Sequence, residues 1–214
     1  MSGIPNSDRP GTGGVAEGRV AVRRKRTEDE IVAAAWDLVR EQGLTSVSMR
    51  ELGDRVGMKA QSLYSYFASK NDIYDAMFRE GQIAFAKAMA MPDDDVEPGE
   101  PTRARLRLVA KRFFDFCTAD TARYQLMFQR VIPDFEPSPD SYALAVDQLE
   151  KTRARIRAAG FDSDRHLDLW TAMLTGLVDQ QISNDPGGKR WQRRIDDAVD
   201  MFFEFATATS TPTH

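Results

Sequence analysis

The most informative segment of the chain is residues 48–70, which read SMRELGDRVGMKAQSLYSYFASK. Ser48 and Glu51 have the spacing of a capping box, in which a hydroxyl and a carboxylate satisfy free backbone amides at a helix start. Gly57 is a natural helix end, because glycine adopts left-handed backbone angles without a steric penalty. A second amphipathic helix is predicted over residues 60–67. The segment therefore predicts two short helices joined by a tight turn.

The polar side chains of this segment suit contacts with DNA. Arg50 carries forked donors that match guanine O6 and N7, and Gln61 can pair with adenine. Ser62 can bond either a base or a phosphate. Phosphate contacts, which fix orientation without reading sequence, are expected from Lys59, Tyr66 and Lys70. On the bare pattern, two ordinary amphipathic helices with solvated Arg and Lys side chains are an equally good interpretation.

Residues 63–73, LYSYFASKNDI, carry a more specific pattern. A leucine-tyrosine pair and an aromatic pair are followed by serine-lysine and an apolar residue. This run resembles the signature of TetR-family transcriptional repressors, and the resemblance extends back to about Thr27. It implies base or phosphate contacts from the positions that match the family motif, namely Ser48, Arg50, Ala60, Gln61, Ser62, Tyr66 and Lys70. Tyr64 is implied to be a packing residue near the DNA backbone.

Lys59 departs from this resemblance. The family often has serine or threonine capping the recognition helix, whereas a lysine side chain cannot accept a hydrogen bond. Two interpretations stay open. Either the helix begins differently in this chain, or Lys59 is an additional phosphate ligand.

The composition is that of a globular protein that folds around a sizeable core. The chain has 214 residues, of which 42% are hydrophobic and 29% charged. The single cysteine, Cys117, excludes an intrachain disulfide, and its apolar neighbours predict a buried, inert thiol. No apolar run reaches the length of a membrane span, and the N-terminal composition is not that of a secretory signal. A cytoplasmic location is therefore expected.

The net charge of −4 is distributed unevenly. Residues 1–70 hold more Lys and Arg than Asp and Glu, and the remainder holds the opposite excess, as expected when one part faces phosphate. Residues 1–22 are rich in Gly, Pro and Ser and are predicted to be disordered. Residues 23–26, RRKR, are then either the solvated start of a helix or an arm that binds the DNA backbone or minor groove.

Helical periodicity continues through the rest of the chain, and no useful β-alternation is present. A helix opening with a Thr27–Glu30 capping box is expected to reach Gln42. Further helices are predicted over residues 69–91, 102–118, 121–131, 141–159, 163–183 and 190–207. Residues 92–101 and 133–139 are predicted loops because of their prolines. The expectation is an all-α fold of about nine helices, with a disordered tail (1–22), a three-helix DNA-binding domain (23–70) and a regulatory and dimerisation domain (71–214).

The last predicted helix, residues 190–207, carries apolar side chains on more than one of its faces. Such a helix is either deeply packed or paired with a second copy. The family resemblance favours a homodimer formed by the last two long helices, and dimeric helix-turn-helix proteins commonly read palindromic operators.

A set of aromatic and methionine side chains on three helices suits either a plain core or an apolar ligand pocket. Its members are Phe113, Phe116, Tyr124, Met127, Phe128, Trp170 and Met173. Gln180 or Gln181 is a candidate polar anchor. The family resemblance implies a small apolar or amphipathic effector whose binding releases DNA.

No catalytic, phosphate-loop or metal-binding motif is present, and His166 and His214 are far apart, with His166 expected at the surface. An enzyme, a metal site and a cofactor are therefore not expected. The sequence predicts a dimeric repressor of transcription that binds an operator in double-stranded DNA. A DNA-organising protein without ligand control, a protein-interaction module and a transcriptional activator are the alternatives.

Overall fold

The computed structural model describes residues 13–90 and 102–210 and is entirely helical over those ranges. The nine α-helices described are α1 (Gly13–Gln42), α2 (Met49–Arg55), α3 (Ala60–Leu63), α4 (Lys70–Met89), α5 (Thr102–Ala119), α6 (Thr121–Phe128), α7 (Pro139–Ala158), α8 (Asp164–Asn184) and α9 (Ile195–Ser210). Short 3₁₀ turns precede α2 and α9. The predicted all-α fold is confirmed. The predicted loop 92–101, residues 1–12 and His214 lie outside the described residues.

Two helix starts follow the sequence signals. The Ser48 hydroxyl accepts a hydrogen bond from the Glu51 amide (3.2 Å), while the Glu51 carboxylate accepts one from the side chain of Gln42. Ser69 and Asp72 form a complete capping box at the start of α4, with bonds of 3.0 and 3.2 Å. Local patterns of this kind need only residues three apart, so they are visible in the sequence.

The start predicted at Thr27 is wrong. The helix α1 runs through this position, and the Thr27 hydroxyl donates to the carbonyl of Arg23 (3.2 Å), one turn earlier. Residues 13–22, which were expected to belong to the disordered tail, are helical as well. Adding residues to an existing helix is far easier than nucleating one, so weak sequence preferences do not stop α1 at Thr27.

One hydrophobic core joins the first three helices to α4. Its fully buried members include Ile31, Leu52 and Leu63. A Cβ added to Gly53 would lie 2.6 Å from the Met58 carbonyl oxygen, so α2 and the turn before α3 approach as closely as only glycine permits. Side chains from α4, α6 and the following loop complete this core, which is therefore not bounded by residue 70.

A second core is formed by α5, α8 and α9 together with the far end of α4. Trp170, Val178 and Val199 are fully or almost fully buried in it. Cys117 is also completely buried there, and burial raises the pKa of its thiol far above the ordinary value, as expected of an inert cysteine. Helix α4 contributes to both cores, with Tyr74 in the first and Phe85 in the second.

The expected surface position of His166 is wrong. The imidazole is buried near the start of α8, where the hydroxyls of Ser163 and Thr209 lie 2.9 and 3.2 Å from its two ring nitrogens. Phe161 and Phe202 pack around the ring. Both polar atoms of the imidazole thus have partners, which permits its burial.

Candidate DNA interface and ligand pocket

The helix α3 is a single turn anchored by two buried side chains. Lys59 occupies its N-cap without a side-chain capping bond, in agreement with the chemistry of lysine. The predicted helix 60–67 is too long, because the chain tightens after Leu63. The amides of Tyr66 and Phe67 both donate to the Leu63 carbonyl at 2.9 Å. Leu63 and Phe67 are buried in the first core and hold this turn against α1 and α4.

The predicted contact residues on α2 and α3 lie at the surface. Ser48, Arg50, Lys59, Gln61 and Ser62 are exposed, and Ala60 is partly exposed. Within the described chain, neither Arg50 nor Lys59 forms an ion pair. Their donors are thus available to a partner. An exposed one-turn helix with free donors of this kind can present them to base edges or phosphates.

The two tyrosines that follow differ in their exposure. Tyr64, which is expected to pack near the DNA backbone, is 53% exposed. Tyr66 is instead half-buried and packs on the first core. Lys70 begins α4, with its amine 5.6 Å from the centre of the Tyr74 ring. All three remain beside the exposed donors of α3.

The basic residues 23–26 form a charge-paired helical surface. Arg24 donates from Nη2 to the Ser65 carbonyl (2.8 Å), and its guanidinium lies 5.1 Å from the centre of the Tyr66 ring. Along the helix, Arg24 pairs with Glu28 at 2.9 Å. Lys25 and Arg26 likewise pair with the acids four residues later. This segment therefore contacts the turn after α3 directly, which the sequence did not indicate.

The body contains an apolar chamber of about 240 Å³ between α4, α5, α6, α7 and α8. Four of the seven predicted ligand residues line it: Phe113, Met127, Phe128 and Trp170. The sequence did not indicate the contributions of α4 and α7, which include Gln82, Phe85, Tyr142, Gln148 and Thr152. Helical periodicity marks such residues as buried or exposed, but it does not show which helices face each other.

The other predicted ligand residues belong to the surrounding core. The Tyr124 hydroxyl donates to Asp179 (2.8 Å). The pKa of Tyr124 is raised, mainly because the hydroxyl is buried and also because it is bonded to this carboxylate. Phe116 packs on Phe85, with ring centres 5.2 Å apart, and Met173 packs on the second core. Gln181 is used internally, since its side chain accepts from the Trp191 amide and donates to Asp185.

A second, more polar chamber of about 220 Å³ adjoins the first. The two share Met127, Phe128, Tyr142 and Ala145 as lining residues. Its own lining includes Gln129, Arg130 and Glu136. Small-molecule sites usually occupy roughly 300–1,000 Å³, a size that neither chamber reaches alone and that both together provide.

The helix α4 links these chambers to the DNA-binding region. The Asp75 carboxylate accepts from the amide and hydroxyl of Ser138 (2.7 and 2.9 Å) and from the hydroxyl of Ser141 (2.9 Å) at the start of α7. Farther along α4, a Cβ on Gly81 would lie 2.7 Å from the Met127 sulfur. Movement of α7 or of Met127 would therefore displace α4, which contacts both directly.

The two ends of α4 are held by different parts of the chain. The Tyr74 hydroxyl donates to the Leu44 carbonyl in the first core, and burial raises the pKa of Tyr74 to about 12. At the opposite end, Arg112 and Arg155 donate to the carbonyls of Ala90 (2.5 Å) and Met89 (3.0 Å).

None of the described helices combines the length and the apolar composition of a membrane span.

Comparison with known proteins identifies the N-terminal region. Residues 31–77 match the family model described as bacterial regulatory proteins, tetR family. The transcriptional activator FasR of Mycolicibacterium smegmatis is 27% identical over 106 residues, which are 50% of this chain and 47% of FasR. The transcriptional repressor Rv1353c of Mycobacterium tuberculosis is 26% identical over 160 residues, covering 71% of this chain and 56% of the repressor. The chain thus spans about half the length of these curated relatives.

Solved structures share the fold. FadR of Bacillus subtilis, crystallised with stearoyl-CoA, superimposes with a TM-score of 0.63 at 15% identity, covering 81% of this chain and 96% of FadR. AibR, crystallised with isovaleryl coenzyme A and operator DNA, gives a TM-score of 0.64 at 17% identity, with coverages of 82% and 97%. These likenesses extend over most of the described helices. The solved structures show the fold alone, whereas the family match and the named regulators identify residues 31–77 as a DNA-binding region of the TetR family of transcriptional regulators.

Proposed function

We propose that the protein is a homodimeric repressor that binds a palindromic operator and releases it when an apolar or amphipathic effector occupies the body. The observation that carries this proposal is the exposed α2–α3 unit, with unpaired donors at Arg50 and Lys59 and exposed Gln61 beside them. Base readout is assigned to Arg50, Gln61 and Ser62. Phosphate contacts are assigned to Ser48, Lys59, Tyr66, Lys70 and the backbone amide of Ala60, and packing near the DNA backbone is assigned to Tyr64.

The effector site is assigned to the two adjoining chambers. The larger is apolar, as an acyl chain requires, and the smaller offers Gln129 and Arg130 to a polar head. FadR and AibR, which share the fold, were crystallised with acyl-CoA molecules, so acyl thioesters are the first compounds to test. By thermodynamic linkage, an effector that weakens DNA binding must itself bind less tightly to the DNA-bound protein.

Activation of transcription is the second candidate, and the similarity to the activator FasR favours it. The same DNA-binding head serves either outcome, because the position of the operator relative to the promoter decides between them. A reporter driven by a promoter with the recovered operator separates the two. Deleting the regulator raises expression if it represses and lowers expression if it activates.

The central test is selection of bound DNA from a random pool, which should recover a palindrome. On that operator, Arg50→Ala should cost about 1–3 kcal/mol and relax the base preference at one position in each half-site. Lys70→Ala should weaken binding to all sequences alike and reduce the salt slope by about one. The matched control is Arg157→Ala, which removes an exposed arginine in the last turn of α7. An unchanged ratio of operator to random-DNA affinity in Arg50→Ala contradicts the assignment of Arg50 to base readout.

A further inference from the structure

A buried glutamine without a partner lies in the wall of the apolar chamber. Gln82, on α4, is only 2% exposed and lines the chamber. Its carboxamide forms no hydrogen bond with any residue that the structure describes. A buried amide without a partner costs free energy, so such groups in native proteins normally meet another polar group. The chamber is the space from which that partner can come.

A second glutamine enters the same chamber from the neighbouring helix. Gln148, on α7, is 7% exposed, and its side-chain nitrogen donates to the adjacent Asp147 (3.1 Å). Within the described chain, its side-chain oxygen accepts no hydrogen bond. Since α4 and α7 pack against each other, the two carboxamides line one chamber from neighbouring helices.

Apart from the indole N–H of Trp170, the rest of the buried lining leaves little other hydrogen-bonding capacity. The hydroxyls of Thr152, Thr171 and Thr175 donate to backbone carbonyls of their own helices at 2.9–3.0 Å. The remaining buried lining is aliphatic, aromatic or methionine, and none of the lining side chains is charged. An ionised group placed at the buried end of the chamber, beside Gln82 and Trp170, would lose hydration without meeting a counter-charge among the lining residues, which is costly. An uncharged polar group would meet two carboxamides.

We propose that the chamber binds the uncharged, largely apolar part of a ligand that carries a carbonyl or carboxamide, and that Gln82 and Gln148 recognise that group. This inference rests on the proposed function, because the chamber is the proposed effector site. It makes the chamber selective for acyl compounds such as amides and thioesters over plain hydrocarbons. It also places the polar contact of the ligand on α4, the helix that joins the body to the DNA-binding region.

The test uses two uncharged probes and the full-length protein. The fluorescent dye N-phenyl-1-naphthylamine reports on the apolar chamber, and octanamide competes with it. Gln82→Leu should weaken octanamide binding about tenfold, as expected from loss of a hydrogen bond in an apolar site, and leave the Kd of the dye within about twofold. Gln148→Leu should act in the same direction. Gln180→Leu is the matched control, because Gln180 is exposed on α8 and outside the lining.

The thermal midpoint of the free protein supplies a second readout. Replacing an unpaired buried amide by an apolar side chain of similar size should leave Tm unchanged or raise it. A clear fall of Tm in Gln82→Leu would show that the amide stabilises the fold, and would overturn the proposal. Unchanged octanamide binding in both variants also overturns it, while the effector site stands. If neither dye nor octanamide binds the unmodified protein, the effector site itself is wrong, and the inference is wrong with it.

Discussion

Arg24 shows how one side chain changes the interpretation of the basic segment. An arm that binds phosphates needs only positive charge, whereas Arg24 makes a directed bond to the Ser65 carbonyl and stacks on Tyr66. A guanidinium can do both at once, and a lysine amine cannot reproduce this planar geometry. We therefore expect Arg24 to hold the turn after α3 in the conformation that meets DNA.

The substitution Arg24→Lys separates phosphate binding from positioning of the turn, because it keeps the positive charge and removes the planar guanidinium. If Arg24 positions the turn, operator binding should weaken about tenfold while its salt dependence stays the same. Fluorescence anisotropy over a series of salt concentrations measures both quantities. The control is Arg26→Lys, since Arg26 is exposed and pairs only along its own helix with Glu30. Operator affinity equal to that of the unmodified protein in Arg24→Lys would assign Arg24 to phosphate binding.

Single residues also mark the limit of sequence reasoning. The caps at Ser48 and Ser69 were predictable, because capping depends on residues three apart. The contact between Arg24 and Ser65 joins residues 41 positions apart, and no local sequence pattern predicts it. The early end of α3 was missed for a related reason. The turn after Leu63 tightens while Leu63 and Phe67 both stay buried in a core that distant helices complete.

Among the elements, α4 is the one that connects the proposed DNA-binding helices with the proposed effector chamber. The sequence predicted its start and approximate length, because the capping box and periodicity are local. It did not predict that α7 is a partner, or that Asp75 joins the two helices at Ser138 and Ser141. Since α7 also lines the chamber, a ligand that moves α7 would pull on Asp75. We infer that this carboxylate transmits part of the effector signal to α4.

Removal of the carboxylate in Asp75→Ala should have two effects. The start of α7 loses three hydrogen bonds to a partly buried carboxylate, so the free energy of unfolding should fall by about 1–3 kcal/mol in urea titrations. The factor by which a saturating effector lowers operator affinity should shrink, because that factor measures the coupling between the two sites. Glu80→Ala removes an exposed acid from the same helix and serves as the control. An unchanged coupling factor would show that the signal bypasses Asp75.

In the whole molecule, the first core, which carries the proposed DNA-binding helices, and the second core, which borders the proposed effector chamber, share helix α4. The hydrophobic pattern was sufficient to predict an all-α chain, since burial every three or four residues leaves few alternatives. It could not predict where the two cores divide. The first extends beyond residue 70 to Leu126 and Ile132, so α6 and the loop after it complete the core of the first three helices. Such an arrangement favours communication between the regions over independent folding.

The surface of the two last helices bears on assembly. Met201 on α9 is 63% exposed and Leu169 on α8 is 41% exposed, although both helices bury other apolar residues in the second core. Exposed large apolar side chains on neighbouring helices suit an isologous contact, in which the same surface of two copies meets across a two-fold axis. We assign the proposed dimer interface to this surface. A two-fold dimer would present two copies of α3 to the halves of a palindrome.

The substitution Met201→Glu places a charge within that surface and should disrupt the dimer, because a buried carboxylate without a partner is strongly unfavourable. Analytical ultracentrifugation at micromolar concentration should show a shift from dimer toward monomer. Binding to the full palindrome should weaken far more than binding to a single half-site, since the two copies of the DNA-binding region are no longer joined. Ile83→Glu is the control, because Ile83 is exposed to a similar extent on α4, outside the two last helices. A dimer that persists in Met201→Glu but dissociates in Ile83→Glu would move the interface to α4.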